Sequence, residues 1–237
     1  MPPTLKVTEK ENSVIDLNRI AHVKVRKFLH DYNITHAQDF SRVKSICYDP
    51  HDTSYYTHQE VFNFNHPIDQ VWHAYTTIDP ARAWSGDMIH FGLQYSRVDH
   101  SVIYAGDNTT TGLQAGQVLI LNLKLAGGAI QLCVGHEIKE VNEVEKVIKI
   151  CYLENSASQG SQFIRLTATP QGTRVTHDTY YKSNSWFRDR ILYPGLHTKA
   201  LNEFHGNVGK YLNLDLTRKG NTLKNYQNPY QTRLNCR

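Results

Sequence analysis

The sequence lacks the signals of a membrane span, a leader peptide and a zinc module. No apolar run approaches the ~18 residues that cross a bilayer, and the opening MPPTLKVTEKEN has no apolar core of the signal-peptide kind. The four cysteines, Cys47, Cys133, Cys151 and Cys236, show no CxxC or Cys/His spacing. We therefore expect a soluble, cytoplasmic protein in a reducing compartment. Cys133 and Cys151 lie on neighbouring predicted strands, but reduced, buried thiols are the preferred interpretation.

Motifs for cofactors, phosphates and catalytic nucleophiles are also missing. The sequence contains no GxSxG, P-loop, GxGxxG or HExxH element. Gly127-Gly128 lies between two predicted strands, as a hairpin turn, and does not precede a helix. We therefore expect neither a cofactor nor a metal.

The formal net charge of +4 comes from the end of the chain. Five of the 26 Lys and Arg residues follow Leu214, against one of the 22 Asp and Glu residues, which leaves 21 of each sign before it. A nucleic-acid groove needs clustered basic side chains, so no nucleic-acid partner is expected.

Residues 1–57 are predicted to form a helical extension. Apolar residues at helical spacing predict one helix over 13–30, and Thr35 with Gln38 forms a capping-box pattern that opens a second helix through Cys47. About fifty residues make a poor core alone, so the extension is expected to pack on the rest of the chain.

Residues 58–214 are predicted to form one domain that opens with a strand at 60–65. Pro67 and Asp79 then mark the starts of two short helices. Alternating apolar residues and short turns predict antiparallel strands, at 88–97, 101–105, 117–125, 129–141, 144–154, 161–169 and 173–182.

The stretch 186–214 is predicted to be an amphipathic helix with a kink at Pro194-Gly195, and 215–237 an extended basic tail. A strongly twisted sheet curled around this helix leaves an interior too wide to fill evenly. The pattern therefore predicts a cavity for an apolar guest.

Three stretches of the sequence resemble the helix-grip superfamily, which includes START, Bet v 1-like and polyketide cyclase-like proteins (SRPBCC). They are the opening VFNFNHPIDQVWHAYTTIDPARAW, the Gly112-x-x-x-Gly116 approach to a strand, and the hairpin ATPQGTRVTHDTYY before the last helix. The resemblance covers residues 58–214. It implies an α+β fold, with a curved antiparallel sheet of about seven strands wrapped around a long C-terminal helix. It also implies a cavity for lipids, sterols, polyketides or plant metabolites, without a shared catalytic signature.

Three histidines are predicted to face this cavity. Strand alternation places His136 beside Leu132 and Val134, and His177 beside Tyr181, while His197 lies in the middle of the apolar arc of the last helix. Each could orient a ligand, act as acid or base, or be a core residue bonded to a neighbour; a three-histidine metal site would need convergence that spacing does not show. The residues predicted to bind the ligand are Trp84, Phe91, Tyr95, Leu121, Leu132, Val134, His136, His177, Tyr181, His197, Leu201, Phe204 and Val208.

Three functions follow as hypotheses. The leading one is binding of a hydrophobic or aromatic small molecule of lipid, sterol or polyketide type. The second is a metal-free cyclase or dehydratase, a lyase or isomerase, using His136, His177 or His197 with a tyrosine as general acid and base. The third is a co-chaperone-like interaction module using residues 1–57 and the tail. Converging His and Tyr groups in a cavity would favour the enzyme. An all-apolar cavity would favour a carrier, and a filled core would favour the interaction module.

Overall fold

One nine-stranded antiparallel sheet dominates the fold. The structure, a computed structural model, describes residues 13–107, 112–154 and 156–226, with side chains as far as Leu214. The strands are β1 (Ser45–Ile46), β2 (Tyr56–Phe64), β3 (Ile89–Ser96), β4 (Val102–Tyr104), β5 (Gln117–Leu125), β6 (Ile130–Asn142), β7 (Val147–Leu153), β8 (Gln159–Thr169) and β9 (Gly172–Lys182). Their order is β2-β9-β8-β7-β6-β5-β3-β4, and β1 pairs with β7.

Four α-helices accompany the sheet in the described residues: α1 (Val23–Asp31), α2 (Ile68–Thr77), α3 (Pro80–Ala83) and α4 (Tyr193–Tyr226). Pro67 is the residue immediately before α2, and the Asp79 carboxylate caps α3 by accepting the N–H of Arg82 at 3.0 Å. No helix in the described part of the chain has an apolar stretch long enough to cross a membrane.

The inner face of the sheet packs against α2, α3 and α4. Phe91, Leu121, Ile150 and Val175 of the strands meet Phe204 of α4 in one buried cluster. An antiparallel sheet that holds a long C-terminal helix on its inner face is the helix-grip arrangement, which confirms the predicted fold class.

A β-bulge in β3 reverses the side-chain direction after Phe91. Phe91 lies opposite Leu121, but the next pair is Leu93 with Ile120, so Gly92 is the extra residue. A Cβ at Gly92 would lie 2.6 Å from the carbonyl oxygen of Ile120, which explains the glycine. The prediction that Tyr95 faces the cavity is therefore wrong, because the bulge turns Tyr95 to the outer face, where it stacks on Phe40.

The segment before β2 covers that outer face. Ile20, Val25, Leu29 and Phe40 are buried there against the outward side chains of β3 and β5. Helix α1 is shorter than the predicted 13–30, because residues 20–22 are extended and Leu17–Arg19 is a separate 3₁₀ turn.

The second predicted helix is a 3₁₀ helix, Ala37–Arg42, followed by β1. Its capping box uses His36 and Asp39, one residue later than Thr35 and Gln38. The Asp39 carboxylate accepts the backbone N–H groups of both Thr35 and His36 at 2.8 Å. An ionised acceptor binds these donors more strongly than the Gln38 amide would.

Cys47 and Cys151 form a disulfide, so the expectation that they stay reduced is wrong. They are 104 positions apart and meet because Ile46 of β1 lies opposite Tyr152 of β7. Cys133 is the free cysteine among the described residues, and Cys236 lies outside them. The inference of a reducing compartment from unpaired thiols therefore loses its basis.

Helix α4 follows a π-helical turn, Arg188–Leu192, which replaces the predicted kink at Pro194-Gly195. A π turn would pair the carbonyl of Asp189 with the N–H of residue 194, and Pro194 has none. The Tyr181 hydroxyl donates to that carbonyl instead, at 2.7 Å. The helix continues to Tyr226, so residues 215–226 of the predicted extended tail are helical; residues 227–237 lie outside the described residues.

Candidate ligand-binding site

A cavity of about 270 Å³ lies between the start of α4 and the inner face of the sheet. Most of its wall is apolar. The apolar lining residues are Trp84, Met88, Ile89, Leu123, Leu125, Ile130, Leu132, Val134, Ala157, Leu192, Leu196, Ala200 and Leu201. These side chains come from three strands, from the loops before β3 and β8, and from α4 with the π turn before it, so the cavity depends on how α4 is held against the sheet.

Two polar side chains of α4 hold it to the loop before β3. The Glu203 carboxylate accepts the N–H groups of Met88 and Ile89, each at 2.9 Å, and Asn207 donates to the carbonyls of Ala83 and Ser85. Backbone groups that would otherwise be unpaired at the start of β3 are thus satisfied by the helix.

Polar groups also line the cavity, and four of them are linked by hydrogen bonds. Gln162 of β8 donates through its amide nitrogen to the Tyr152 hydroxyl at 2.9 Å and to His136 Nε2 at 3.2 Å. The Tyr152 and Tyr193 hydroxyls are hydrogen-bonded to each other. The His136 Nδ1 atom is buried and has no hydrogen-bond partner among the described residues.

A second set of polar side chains lies behind Gln162. His177 Nε2 is 2.9 Å from Gln162 Oε1, and His177 Nδ1 is 2.9 Å from His205 Nε2. His205 Nδ1 in turn bonds the hydroxyl of Tyr75, which is buried. An unbroken chain of hydrogen bonds therefore runs from Tyr75 on α2, through α4 and two strands, to His136 on the cavity wall.

The imidazoles of this chain are neutral, because burial makes the charged form costly. Burial lowers the pKa of His136 to about 4 and that of His205 to about 3. The pKa of His177 is held well below its ordinary value by burial and by the nearby histidines. Burial raises the pKa of Tyr75 well above 10, so its hydroxyl keeps its proton.

His197 belongs to a different chain of hydrogen bonds. The Thr198 hydroxyl donates to Glu60 Oε1 at 2.6 Å and so accepts from His58 Nε2 at 3.1 Å. The unprotonated Nδ1 of His58 then accepts from His197 Nδ1, also at 3.1 Å. One proton per neutral ring leaves His197 Nε2 as a bare acceptor. Burial holds the pKa of His197 well below its ordinary value.

Apart from Tyr95, which lies on the outer face of the sheet, the residues predicted to bind the ligand fall into three groups. Trp84, Leu132, Val134, His136, His197 and Leu201 lie on the cavity wall. Phe204 lines, with Trp84, a separate space of only about 30 Å³. Phe91, Leu121 and Val208 are in the inner core and His177 and Tyr181 lie behind the wall, so these five do not line the cavity.

Sequence reasoning missed Gln162, Tyr193 and His205 as parts of this site. Gln162 alternates with Ile164 and Leu166, so a polar residue on an apolar strand face was the available signal. His205 follows His197 by eight residues, close to two helical turns, and could have been found at that spacing. Tyr193 precedes Pro194 in the predicted kink, and its orientation depends on the π turn.

The site offers hydrogen bonds rather than charge. A cavity is present, so the condition set for the interaction module, a filled core, is not met. His136, His197, Tyr152 and Tyr193 line the cavity together, which is the arrangement set as favouring the enzyme, although almost all of the surface that faces the cavity is apolar. Within the described ranges, no group of three His, Cys, Asp or Glu side chains is arranged to hold a metal ion.

No protein-family model matches this sequence, and no curated protein matches it. Among solved structures, the chain is similar to major latex-like protein 151 from Panax ginseng, with 12% identity and a TM-score of 0.46 over 66% of this chain and 97% of that one. An AHSA1-like protein from Aeromonas hydrophila gives 11% identity and a TM-score of 0.40, over 68% and 94%. Ara h 8.0201 gives 13% identity and a TM-score of 0.45, over 69% and 99%. At these identities the likeness concerns the fold alone.

Proposed function

We propose that this protein binds a small, largely apolar molecule in the cavity between α4 and the sheet. The observation that carries the proposal is a space of about 270 Å³ whose surface is almost entirely apolar and whose lining includes a hydrogen-bonded set of polar side chains. Removing apolar ligand surface from water would drive binding, and the polar groups would orient the ligand.

The size of the cavity limits the ligand. Its volume is just below the range of roughly 300–1,000 Å³ typical of small-molecule sites. A one- or two-ring compound suits this space better than a four-ring sterol.

Filling the cavity tests the proposal. Ala200 lines the cavity from α4 and is almost fully buried, so Ala200→Trp places an indole in the ligand space. We expect 2-ethylnaphthalene, used as a probe, to raise the melting temperature of the wild type and not that of Ala200→Trp. Lys210→Trp, at an exposed position of the same helix, is the matched control and should respond like the wild type. A similar response from Ala200→Trp would contradict binding at this site.

A second candidate function, cyclase or dehydratase chemistry on a ketone, is favoured by His197. Its Nε2 is bare, and its Nδ1 is hydrogen-bonded to a chain of side chains that ends at the Glu60 carboxylate, which suits removal of a proton next to a carbonyl. The strongly lowered pKa of His197 weakens it as a base at neutral pH, so we place binding first.

Hydrogen exchange separates the two functions without a known substrate. If His197 acts as a base, the methyl protons of bound 2-acetylnaphthalene will exchange with deuterium in D₂O faster than without protein, and His197→Ala will remove the acceleration. If the protein only binds its ligand, exchange will run at the uncatalysed rate in both proteins.

A further inference from the structure

His197 presents one unpaired nitrogen atom at the cavity. The residue lies on the cavity wall, and its Nδ1 atom is 3.1 Å from Nδ1 of His58. His197 Nε2 has no hydrogen-bond partner among the described residues, and it is not sealed from a water-sized molecule in the way that the unpaired His136 Nδ1 is. A ligand in the cavity therefore has access to His197 Nε2.

The side chains behind His197 decide whether this nitrogen donates or accepts. The Glu60 carboxylate only accepts, so the Thr198 hydroxyl gives its one hydrogen to Glu60 and accepts from His58 Nε2. A neutral His58 has no second proton, so its Nδ1 accepts from His197 Nδ1. Burial lowers the pKa of both rings, which keeps them neutral near pH 7. His197 Nε2 is therefore an acceptor.

Ring contacts hold the imidazole of His197 in one orientation. The Tyr193 ring stacks on it, with a centroid distance of 4.8 Å and an interplanar angle of 22°. The rings of His58 and His177 meet it edge-on, with centroids at 5.1 and 6.0 Å. A ring packed on its face and along its edges does not turn over freely, so the direction of Nε2 is set before a ligand binds.

We propose, on the basis of the binding function above, that the ligand carries an O–H or N–H group that donates a hydrogen bond to His197 Nε2. A bare acceptor in an apolar wall lacks the hydrogen bond that it would make in water, and a donor on the ligand restores it. A hydrocarbon leaves the nitrogen unpaired, and an ether oxygen would meet another acceptor.

A set of three naphthalenes tests the proposal by calorimetry at pH 7. 2-Naphthol has the donor, 2-methoxynaphthalene has the same oxygen without its hydrogen, and 2-methylnaphthalene has neither and is the reference. His197→Phe removes the acceptor and keeps a ring in its place. Relative to 2-methylnaphthalene, we expect this variant to bind 2-naphthol roughly tenfold more weakly than the wild type does, and 2-methoxynaphthalene equally well. His73→Phe, the same substitution at an exposed position, is the matched control.

The outcomes distinguish this inference from the binding function. If none of the three compounds binds the wild type, the proposed function itself is contradicted. If His197→Phe changes the affinities for 2-naphthol and 2-methylnaphthalene by the same factor, the donor preference alone is overturned. A loss for 2-methoxynaphthalene as large as that for 2-naphthol would mean that Nε2 donates, and would also overturn the inference.

His58 acts on the ligand through His197, as a positioning residue, and does not line the cavity. His58→Phe removes the acceptor of the His197 Nδ1 proton, so His197 becomes free to carry its proton on either nitrogen. The preference for 2-naphthol over 2-methylnaphthalene should therefore fall several-fold, while 2-methylnaphthalene binds as it does to the wild type. An unchanged preference would overturn the control of His197 by His58.

Nitrogen-15 NMR of the wild type reads both rings directly and does not depend on how a variant folds. We expect His197 to carry its proton on Nδ1 and His58 to carry its proton on Nε2. The signal of the bare His197 Nε2 should shift when 2-naphthol is added and should stay in place when 2-methylnaphthalene is added. A proton on His197 Nε2 in the free protein would overturn the inference.

Discussion

Glu203 shows how a single carboxylate positions the wall of the cavity. It lies on α4, yet the groups it binds are the backbone N–H donors of Met88 and Ile89 at the start of β3. Gly86 leaves room for it, since a Cβ there would lie 2.2 Å from Glu203 Oε2. The same side chain therefore fixes the separation between the helix and the strand.

We expect Glu203→Ala to lower the free energy of unfolding by about 2 kcal/mol, because two partly buried N–H groups lose their acceptor. Urea denaturation measures this. Asn202→Ala, at the exposed neighbouring position of α4, is the control and should change stability by less than about 0.5 kcal/mol. Equal midpoints for the two variants would contradict this role.

At the residue scale, the sequence predicts which faces are apolar but not where a strand changes face. Alternation placed Leu132, Val134 and His136 on the cavity wall, since β6 is regular there. The same rule misplaced Tyr95, because one extra residue at Gly92 turns every later side chain over. The partners of His136 and His205 come from elements far apart in the chain, and no local pattern encodes them.

At the scale of elements, β1 places a covalent cross-link between distant parts of the chain. β1 has only two residues, but it brings Cys47 to Cys151 and so closes a loop with a sequence separation of 104. A covalent loop of that length restricts the unfolded chain strongly.

Cys47→Ser should lower the free energy of unfolding by about 5 kcal/mol, the amount expected from the loss of closure of a loop of ~100 residues. Adding a thiol reductant to the wild type should produce the same loss, and Cys47→Ser should not respond to reductant. If the wild type and Cys47→Ser had the same urea midpoint under oxidising conditions, a stabilising disulfide would be excluded.

The bounds of a helix or strand could be predicted from the sequence where local residues mark them. Where packing against the rest of the molecule sets the backbone, the bounds could not be predicted. Pro67 and Asp79 mark the starts of α2 and α3, and the strand at 117–125 has the predicted bounds. The segment 13–30 has helical spacing, but the chain is extended at residues 20–22 as it crosses the outer face of the sheet. The π turn before α4 depends on Tyr181, which supplies the hydrogen bond that Pro194 lacks.

At the scale of the whole molecule, three buried neutral histidines make stability depend on pH. His136, His177 and His205 are each at most 6% exposed. Burial lowers the pKa of His136 to about 4 and of His205 to about 3, while in the unfolded chain each would titrate near 6.5. Below pH 6.5 the unfolded chain therefore binds more protons than the folded protein, and stability falls as pH falls through this window.

Between about pH 6 and 5, where the rings are charged in the unfolded chain and uncharged in the folded protein, each removes about 1.4 kcal/mol of stability per pH unit, so the three together remove about 4 kcal/mol. That is comparable with the total stability of a typical domain. We expect the urea midpoint of the wild type to be level from pH 8 to 7 and to fall steeply below pH 6. The midpoint of His205→Gln should fall less steeply. His73→Gln, at an exposed position, should follow the wild type. A midpoint that stays level from pH 8 to 5 would contradict this prediction.

The N-terminal segment, which covers the outer face of the sheet, also affects how fast a ligand associates and dissociates. The central strands are packed on both faces, and the bond between Cys47 and Cys151 restrains them further. We therefore expect a ligand to enter and leave on the side of the cavity that is away from these strands. Ile130 and Leu192 line the cavity and are also 53% and 44% exposed, so both reach the solvent. A bulkier side chain at either position would therefore narrow the way between solvent and cavity, and would slow the arrival and the departure of a ligand alike.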